Sequence, residues 1–327
     1  MIIKDKGYSI DLDSYKGLVD REITGKLLAD IGEQNKDVVL VGADAVATCG
    51  GKAFRNKFPH RTFDFGIAEP NMVSAAAGFA KQGKIAICGI FGFLVDRTAE
   101  QIKLDVCYNH NPVKIFSTAN GFDMFAGGFT HHGIEDISIL RNYPEMTIIQ
   151  PASPLETIIL CFKAILIHNG AVYLRLSRTI RDEIYKENEL NFEIGKAVTL
   201  RQGEDVTLVA TGGRPVKAAM QAADALSSEG ISARVLNIHT IKPIDEEAIL
   251  KAAQETRGFV TVEEANISGG LGSAVNDIVC DKNPKFVKKI GIPNDRFSVI
   301  GHSADELCEY FGISPSNIVK KAKEILV

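Results

Sequence analysis

The sequence predicts an α/β protein of two domains with mostly parallel sheets, on three grounds. Short β-branched runs recur along the 327 residues, each followed by a stretch with helical spacing. The runs are continuously apolar rather than alternating, as strands covered on both faces are. One charged, aperiodic segment, "TIRDEIYKENELNFEIGK", interrupts the alternation near its middle, and the length suits two domains of ~150 residues each.

In order, the strand-like runs are "DVVLVGAD" (37–44), "TFDFGI" (62–67), "KIAICGIF" (84–91), "VKIFSTAN" (113–120), "MTIIQPAS" (146–153) and "AVYLRLS" (171–177). A second series follows: "DVTLVATGG" (205–213), "ARVLNIHT" (233–240) and "GFVTVEE" (258–264). Between them lie amphipathic or small-residue helices, such as 215–230, with Pro early and Gly at its end. Strand and helix alternate throughout, which predicts parallel sheets. A linker is expected near 179–193, dividing a domain of residues 1–185 from one of 186–327. In such sheets ligands bind beyond the strands' carboxyl ends, on the loops that lead into helices.

Composition narrows the function. A net charge of −4, with acids and bases interspersed, offers no electrostatic case for nucleic acid or an anionic membrane. The six cysteines share no CxxC spacing, which excludes a zinc ribbon or redox pair and suits a cytosolic chain with free thiols. No apolar segment at the N-terminus suggests secretion. The longest apolar run, 85–95, falls short of the ~20 residues that span a bilayer. The motifs of P-loop NTPases, standard dinucleotide folds, α/β-hydrolases and zincins are absent.

Four loops stand out. In "FDFGIAEPNMVSAAAGFA" (63–80), Glu69 sits between a strand and a helix. It either decorates a helix N-terminus or is aimed at a ligand. "GIFGFLVDR" (89–97) places Phe91 and Phe93 at a strand end, where they could hold a flat heterocycle or belong to the core. "FAGGFTHHGIED" (125–136) carries adjacent histidines. Neighbouring side chains diverge, so one imidazole for substrate or catalysis is more plausible than a shared metal ion. "RLSR" (175–178) ends a strand on an arginine, a natural anion anchor. A fifth element, "SGGLGSAV" (268–275), either cradles a phosphate or, the favoured reading, packs a helix tightly on a strand.

The segments "FGIAEPNMVSAAAGFA", "FLVDRTAEQIK", "GGFTHHGIEDISILRNYPEMTIIQPAS" and "YLRLSR" resemble the pyrimidine-binding domain of transketolases. "FEIGKAVTLRQGEDVTLVATGG", "VLNIHTIKPID" and "VEEANISGGLG" resemble the transketolase C-terminal domain. The resemblance runs from about residue 20 to the end. It implies a thiamine-diphosphate enzyme that transfers a two-carbon ketol unit between sugar phosphates. The family's GDG…N motif, which holds Mg2+ and the cofactor's diphosphate, is absent. The resemblance therefore implies the C-terminal subunit of a split transketolase, with metal and diphosphate held by an N-terminal partner and no metal ligands here. A dimer of this chain would form the assembly's core.

Residue by residue, the resemblance implies that Glu69 hydrogen-bonds N1′ of the aminopyrimidine and shares its proton. Phe91 and Phe93 lie in the segment that packs on that ring, with Leu94 where an aromatic is often found. Asp44 lines the thiazolium side, and His131 faces the substrate's hydroxyl and carbonyl end. Arg21, Thr48 and Arg178 match positions that hold a terminal phosphate, and the resemblance counts Asn120 with them among the substrate-binding residues. Two departures bear on the sugar: the family's "GEDGPTHQ" becomes "FAGGFTHH", losing an aspartate near Gly127, and a substrate-binding histidine is replaced near Ala119 or Asn120. Rival readings are the beta subunit of a 2-oxo acid decarboxylase complex, a 1-deoxyxylulose 5-phosphate synthase relative, or a non-catalytic scaffold subunit.

Overall fold

The computed structural model describes residues 1–178, 182–186 and 191–327. Residues 179–181 and 187–190 of the expected linker thus lie outside the described residues. The chain opens with an antiparallel hairpin, β1 (Ile2–Asp5) and β2 (Tyr8–Asp11). Then follow α1 (Asp20–Gln34), β3 (Val38–Gly42), α2 (Lys52–Lys57), β4 (Thr62–Asp64) and α3 (Glu69–Lys81). Next are β5 (Ile85–Phe91), α4 (Val95–Gln101), β6 (Lys114–Thr118), α5 (Asp136–Leu140), β7 (Thr147–Ile149), α6 (Pro154–Leu166) and β8 (Val172–Arg175).

The second half holds β9 (Val198–Arg201), β10 (Val206–Ala210), α7 (Gly213–Ser228), β11 (Ala233–Asn237), β12 (Thr240–Lys242) and α8 (Glu246–Glu255). It ends with β13 (Gly258–Asn266), α9 (Leu271–Lys282), β14 (Phe286–Ile292), α10 (Ala304–Tyr310) and α11 (Pro315–Leu326).

Two sheets organise these elements. The larger has strand order β12-β7-β8-β6-β5-β3-β4, parallel except for β12 against β7. The smaller has order β14-β13-β10-β11-β9, parallel except for β9 against β11. The period of two decides which helix each residue meets. Val38 and Leu40 of β3 pack in the cluster that contains α1 and α6, whereas Val39 and Val41 pack in the one that contains α3. In the second half α7 and α11 share one cluster with the sheet, and α8 and α9 share another. Each fully buried Leu or Ile in these layers contributes about 1.5–3 kcal/mol.

Helix boundaries follow local chemistry. Ser153, Asp245 and Ser303 cap α6, α8 and α10 by accepting backbone N–H bonds. The expected helix at 215–230 is α7, and Gly230 after it has φ +77°.

One expectation needs correction. "ARVLNIHT" is not one strand: β11 stays in the smaller sheet while β12 crosses to the edge of the larger one, pairing Thr240 with Ile149. The sheet of the first half therefore contains residues of the second. The terminal hairpin, β9 and β14 are also not evident in the sequence; β14 carries Lys288 and Lys289 on the exposed edge of its sheet, which masks its strand character. Among the described residues no helix is long and apolar enough to cross a membrane.

Candidate active site

The candidate residues gather at the carboxyl ends of the larger sheet, with Arg21 joining from the first turn of α1. Beyond β4 the chain turns at Gly66, whose φ of +67° favours glycine. Glu69 then begins α3, with Pro70 in the first turn and no side-chain cap. Its carboxylate is turned inward, only 6% exposed, and Oε2 has no hydrogen-bond partner. The nearest cation is Arg97, with Nη1 at 3.4 Å and a side chain 54% exposed. Sequence reasoning missed this arginine because it lies on α4, distant along the chain but packed beside α3. A buried carboxylate oxygen without a hydrogen bond costs stability, and the capping explanation leaves it with only the Arg97 ion pair.

β5 ends at Phe91 and turns through Gly92 into α4. Phe91 and Phe93 stack with centroids 5.4 Å apart and planes 7° apart. The His131 ring lies on Phe93 at 4.8 Å, so three of the candidates form one aromatic column. The histidine loop packs directly on the turn: a Cβ on Gly133 would meet Gly92 Cα at 3.0 Å. The adjacent histidines do diverge. His131 is exposed and its Nδ1 is 2.9 Å from Thr130 Oγ1. His132 is buried, with Nδ1 2.7 Å from Ser298 Oγ, and burial pushes its pKa down.

Asn120 is buried beneath the same turn; a Cβ on Gly92 would meet its Oδ1 at 2.2 Å. Its Nδ2 donates to Ser117 O at 3.0 Å and Leu176 O at 2.7 Å. Its Oδ1 accepts from Ser117 Oγ at 2.7 Å and Tyr173 OH at 3.3 Å. A substrate hydroxyl would have to compete with these four bonds, so Asn120 braces the floor of the site.

Asp44 follows β3 with φ +56°; its N–H donates to Asp64 Oδ1 at 2.8 Å and its side chain is exposed. Thr48 is exposed in the next turn, where its hydroxyl donates to Ala45 O at 3.0 Å. A Cβ on Gly50 would meet Arg21 O at 2.9 Å and Arg21 Cγ at 3.5 Å. Cys49, beside it, has its pKa pushed up to about 11 by burial, against the pull of Thr118 and of the Arg178 charge. Arg21 and Thr48 thus flank one turn, and the Arg178 charge acts on Cys49 within it. Arg178 is held by its N–H to Asp123 Oδ2 at 2.7 Å, and Nη1 touches Met124 Sδ at 2.9 Å.

The glycine-rich "SGGLG" element takes the packing reading. The two amides that open α9, Leu271 and Gly272, donate to the carboxylate of Glu263 at 2.7 and 2.8 Å. The protein fills that anion site itself. Among the described residues no group of three or more His, Cys, Asp or Glu is placed to hold a metal ion.

Comparison with known proteins agrees with this geometry. The transketolase pyrimidine-binding domain family matches residues 17–181, and the transketolase C-terminal domain family matches 195–318. The 6-deoxy-6-sulfo-D-fructose transketolase subunit SqwH of Clostridium sp. (strain MSTE9) is 39% identical over 91% of this chain and 92% of its own. One of the apulose-4-phosphate transketolase subunits of Phocaeicola vulgatus is 38% identical over 91% of this chain and 95% of its own. A solved split-gene transketolase, described as an inactive beta4 tetramer, superposes with a TM-score of 0.85 at 35% identity, over 95% of this chain and 99% of that one. The chain belongs to the transketolase family, and its two halves are that family's pyrimidine-binding and C-terminal domains.

Proposed function

We propose that this chain is the catalytic C-terminal subunit of a two-chain transketolase. It transfers a two-carbon ketol unit from an anionic ketose to an anionic aldose, using thiamine diphosphate. One observation carries this reading: Glu69 Oε2 is buried without a hydrogen-bond partner, on a helix beside the turn that carries the Phe91–Phe93 stack. A flat aminopyrimidine against that stack, with N1′ toward Glu69, would give the oxygen its partner.

The cofactor, when bound, supplies the carbon nucleophile that cleaves the ketose and carries the fragment. The chain's residues supply orientation and proton traffic. Glu69 shares a proton with N1′, which needs a group able both to give and to take it. Phe91 and Phe93 hold the ring, Asp44 lines the thiazolium side, and His131 faces the substrate's carbonyl end. Arg21, Thr48 and Arg178 hold the anionic tail, since two arginines on one dianion make charge-assisted bonds. The two named relatives carry a sulfonated and a phosphorylated sugar in their names, which fits an anchor selective for charge.

The diphosphate and Mg2+ are assigned to an N-terminal subunit with a GDG…N motif, docking on a dimer core of this chain in the cytoplasm. The named subunit relatives match over nearly their whole lengths, which favours this reading over a deoxyxylulose phosphate synthase.

The test is co-expression with a diphosphate-binding partner. Thiamine-diphosphate-dependent ketol transfer from phosphorylated or sulfonated ketoses is the expected result. Pyruvate turnover without a ketose donor, and no ketol transfer, would overturn the proposal.

A further inference from the structure

One ionic cluster behind Arg178 joins the two halves. Asp123 lies on the turn after β6, where Ala119 and Gly121 have φ of +57° and +56°. Its Oδ2 accepts the Arg178 N–H at 2.7 Å, and its Oδ1 lies 3.5 Å from Ser177 Oγ. From the second half Arg214, in the first turn of α7, donates Nη2 to Asp123 Oδ1 at 2.9 Å. Its Nη1 reaches both oxygens of Glu264, on β13, at 2.9 and 3.0 Å. Glu264 Oε1 in turn accepts the Phe122 N–H at 2.7 Å. A Cβ on Gly121 would fall 2.4 Å from Glu264 Oε1, so turn and carboxylate are in direct contact.

The two acids are almost fully covered: the Asp123 side chain is 1% exposed and that of Glu264 is 6%. Burial works against the Arg214 charge, but the acids outweigh it and raise its pKa. Removing Arg214 would leave two buried carboxylates facing each other without their shared cation, an arrangement far costlier than the intact cluster is stabilising. Asp123 would have to turn away or take up a proton, and the Arg178 N–H would lose its acceptor. The cluster also borders a cavity of about 640 Å³ between the halves, so small solutes can reach it.

We propose that Arg214 is a positioning residue: through Asp123 it fixes the strand end from which Arg178 grips the substrate's anionic tail, so the C-terminal half sets the affinity for that tail. This rests on the proposed role of Arg178 as an anchor for the tail.

Two measurements separate the inference from that role. In the isolated chain, amide hydrogen exchange of Arg214→Ala should accelerate at Phe122 and Arg178 while β10 and α11 stay protected. Unchanged exchange there overturns the inference without any assay of activity. In the complex with the diphosphate-binding subunit, Arg214→Ala should raise KM for an anionic ketose roughly tenfold, with kcat within about threefold. KM for a ketose without the charged tail should stay unchanged. Arg214→Lys should recover part of the loss, as should millimolar guanidinium with Arg214→Ala; if the alanine variant does not fold, the lysine variant carries the same comparison. An unchanged KM, or an equal loss with charged and uncharged donors, overturns the inference. Failure of the wild-type complex to transfer a ketol unit would instead sink the proposed function, before any variant is made.

Discussion

Two glutamates occupy similar places in the two halves and have opposite fates. Glu69 follows β4 and a glycine turn and opens α3. Glu263 lies on β13, and the glycine turn beyond it opens α9. Both are buried beside a helix N-terminus, where a negative charge is favoured. Glu263 spends both oxygens on the opening amides of its helix, and a Cβ on Gly270 would lie 1.9 Å from one of them. Glu69 leaves an oxygen without a hydrogen bond, faced by Arg97 at 3.4 Å. The same strand–glycine–helix grammar thus satisfies its acid within the fold in one half and, on the proposed reading, leaves one for the cofactor in the other. What separates the cases is whether the nearest amides are already engaged by the acid.

The most demanding test of this contrast is Glu69→Gln in the reconstituted complex. Ketol transfer should fall on the order of 10²–10⁴-fold, while the melting temperature stays close to wild type. Full activity would restore the scaffold reading and make the two glutamates equivalent.

Next in size is acid sensitivity. Burial, and then the Lys163 charge, push His239 down to about 4. Its folded pKa lies below the unfolded one, so the stability tied to the neutral ring is complete above pH ~6.5 and lost as pH falls toward 4, a span of about 3 kcal/mol. Glu263 runs the other way. Burial raises it to about 7, ahead of the opposing pull of its two amide donors. Its contribution is complete below pH ~4.5 and lost as pH rises through 7. The two slopes oppose each other across pH 4.5–6.5. Urea midpoints should therefore vary little in the wild type over that range. Those of His239→Gln should fall with rising pH, and those of Glu263→Gln should climb. Parallel curves for all three proteins would refute the assignment.

At pH ~4.5, where the buried Glu263 is neutral, Glu263→Gln should also cost about 1–2 kcal/mol through a weakened helix cap, leaving turnover per folded complex at neutral pH unchanged. A loss of turnover would show that the second glutamate is not confined to folding. The smallest effect is expected at the aromatic column. Phe93→Ala should weaken thiamine diphosphate binding by about 0.5–1.5 kcal/mol, measured by calorimetry on the complex. No change there would remove that residue from the cofactor face.

The candidate loops were legible because each is local. Glu69, Phe91, Phe93 and His131 announce themselves by a strand end, a small-residue turn and a helix start, all within a few residues. Arg97, Asp123 and Arg214 were not, since each acquires its meaning from a partner far along the chain. Asn120 was legible as a position but not in its bracing role, because its four hydrogen bonds come from Ser117 on β6, Tyr173 on β8 and Leu176 just beyond β8. The β11–β12 break was hidden for a similar reason. "ARVLNIHT" carries no turn signal, with no Gly or Pro inside it, and the pairing of Thr240 with Ile149 shows that it changes sheets.

That exchanged strand has a practical consequence. Clipping the backbone between residues 182 and 186 should not yield two separable fragments, because one piece still hydrogen-bonds into the other's outermost row. Expressed alone, the first fragment would present β7 as a bare template, ready to recruit another chain's backbone and precipitate.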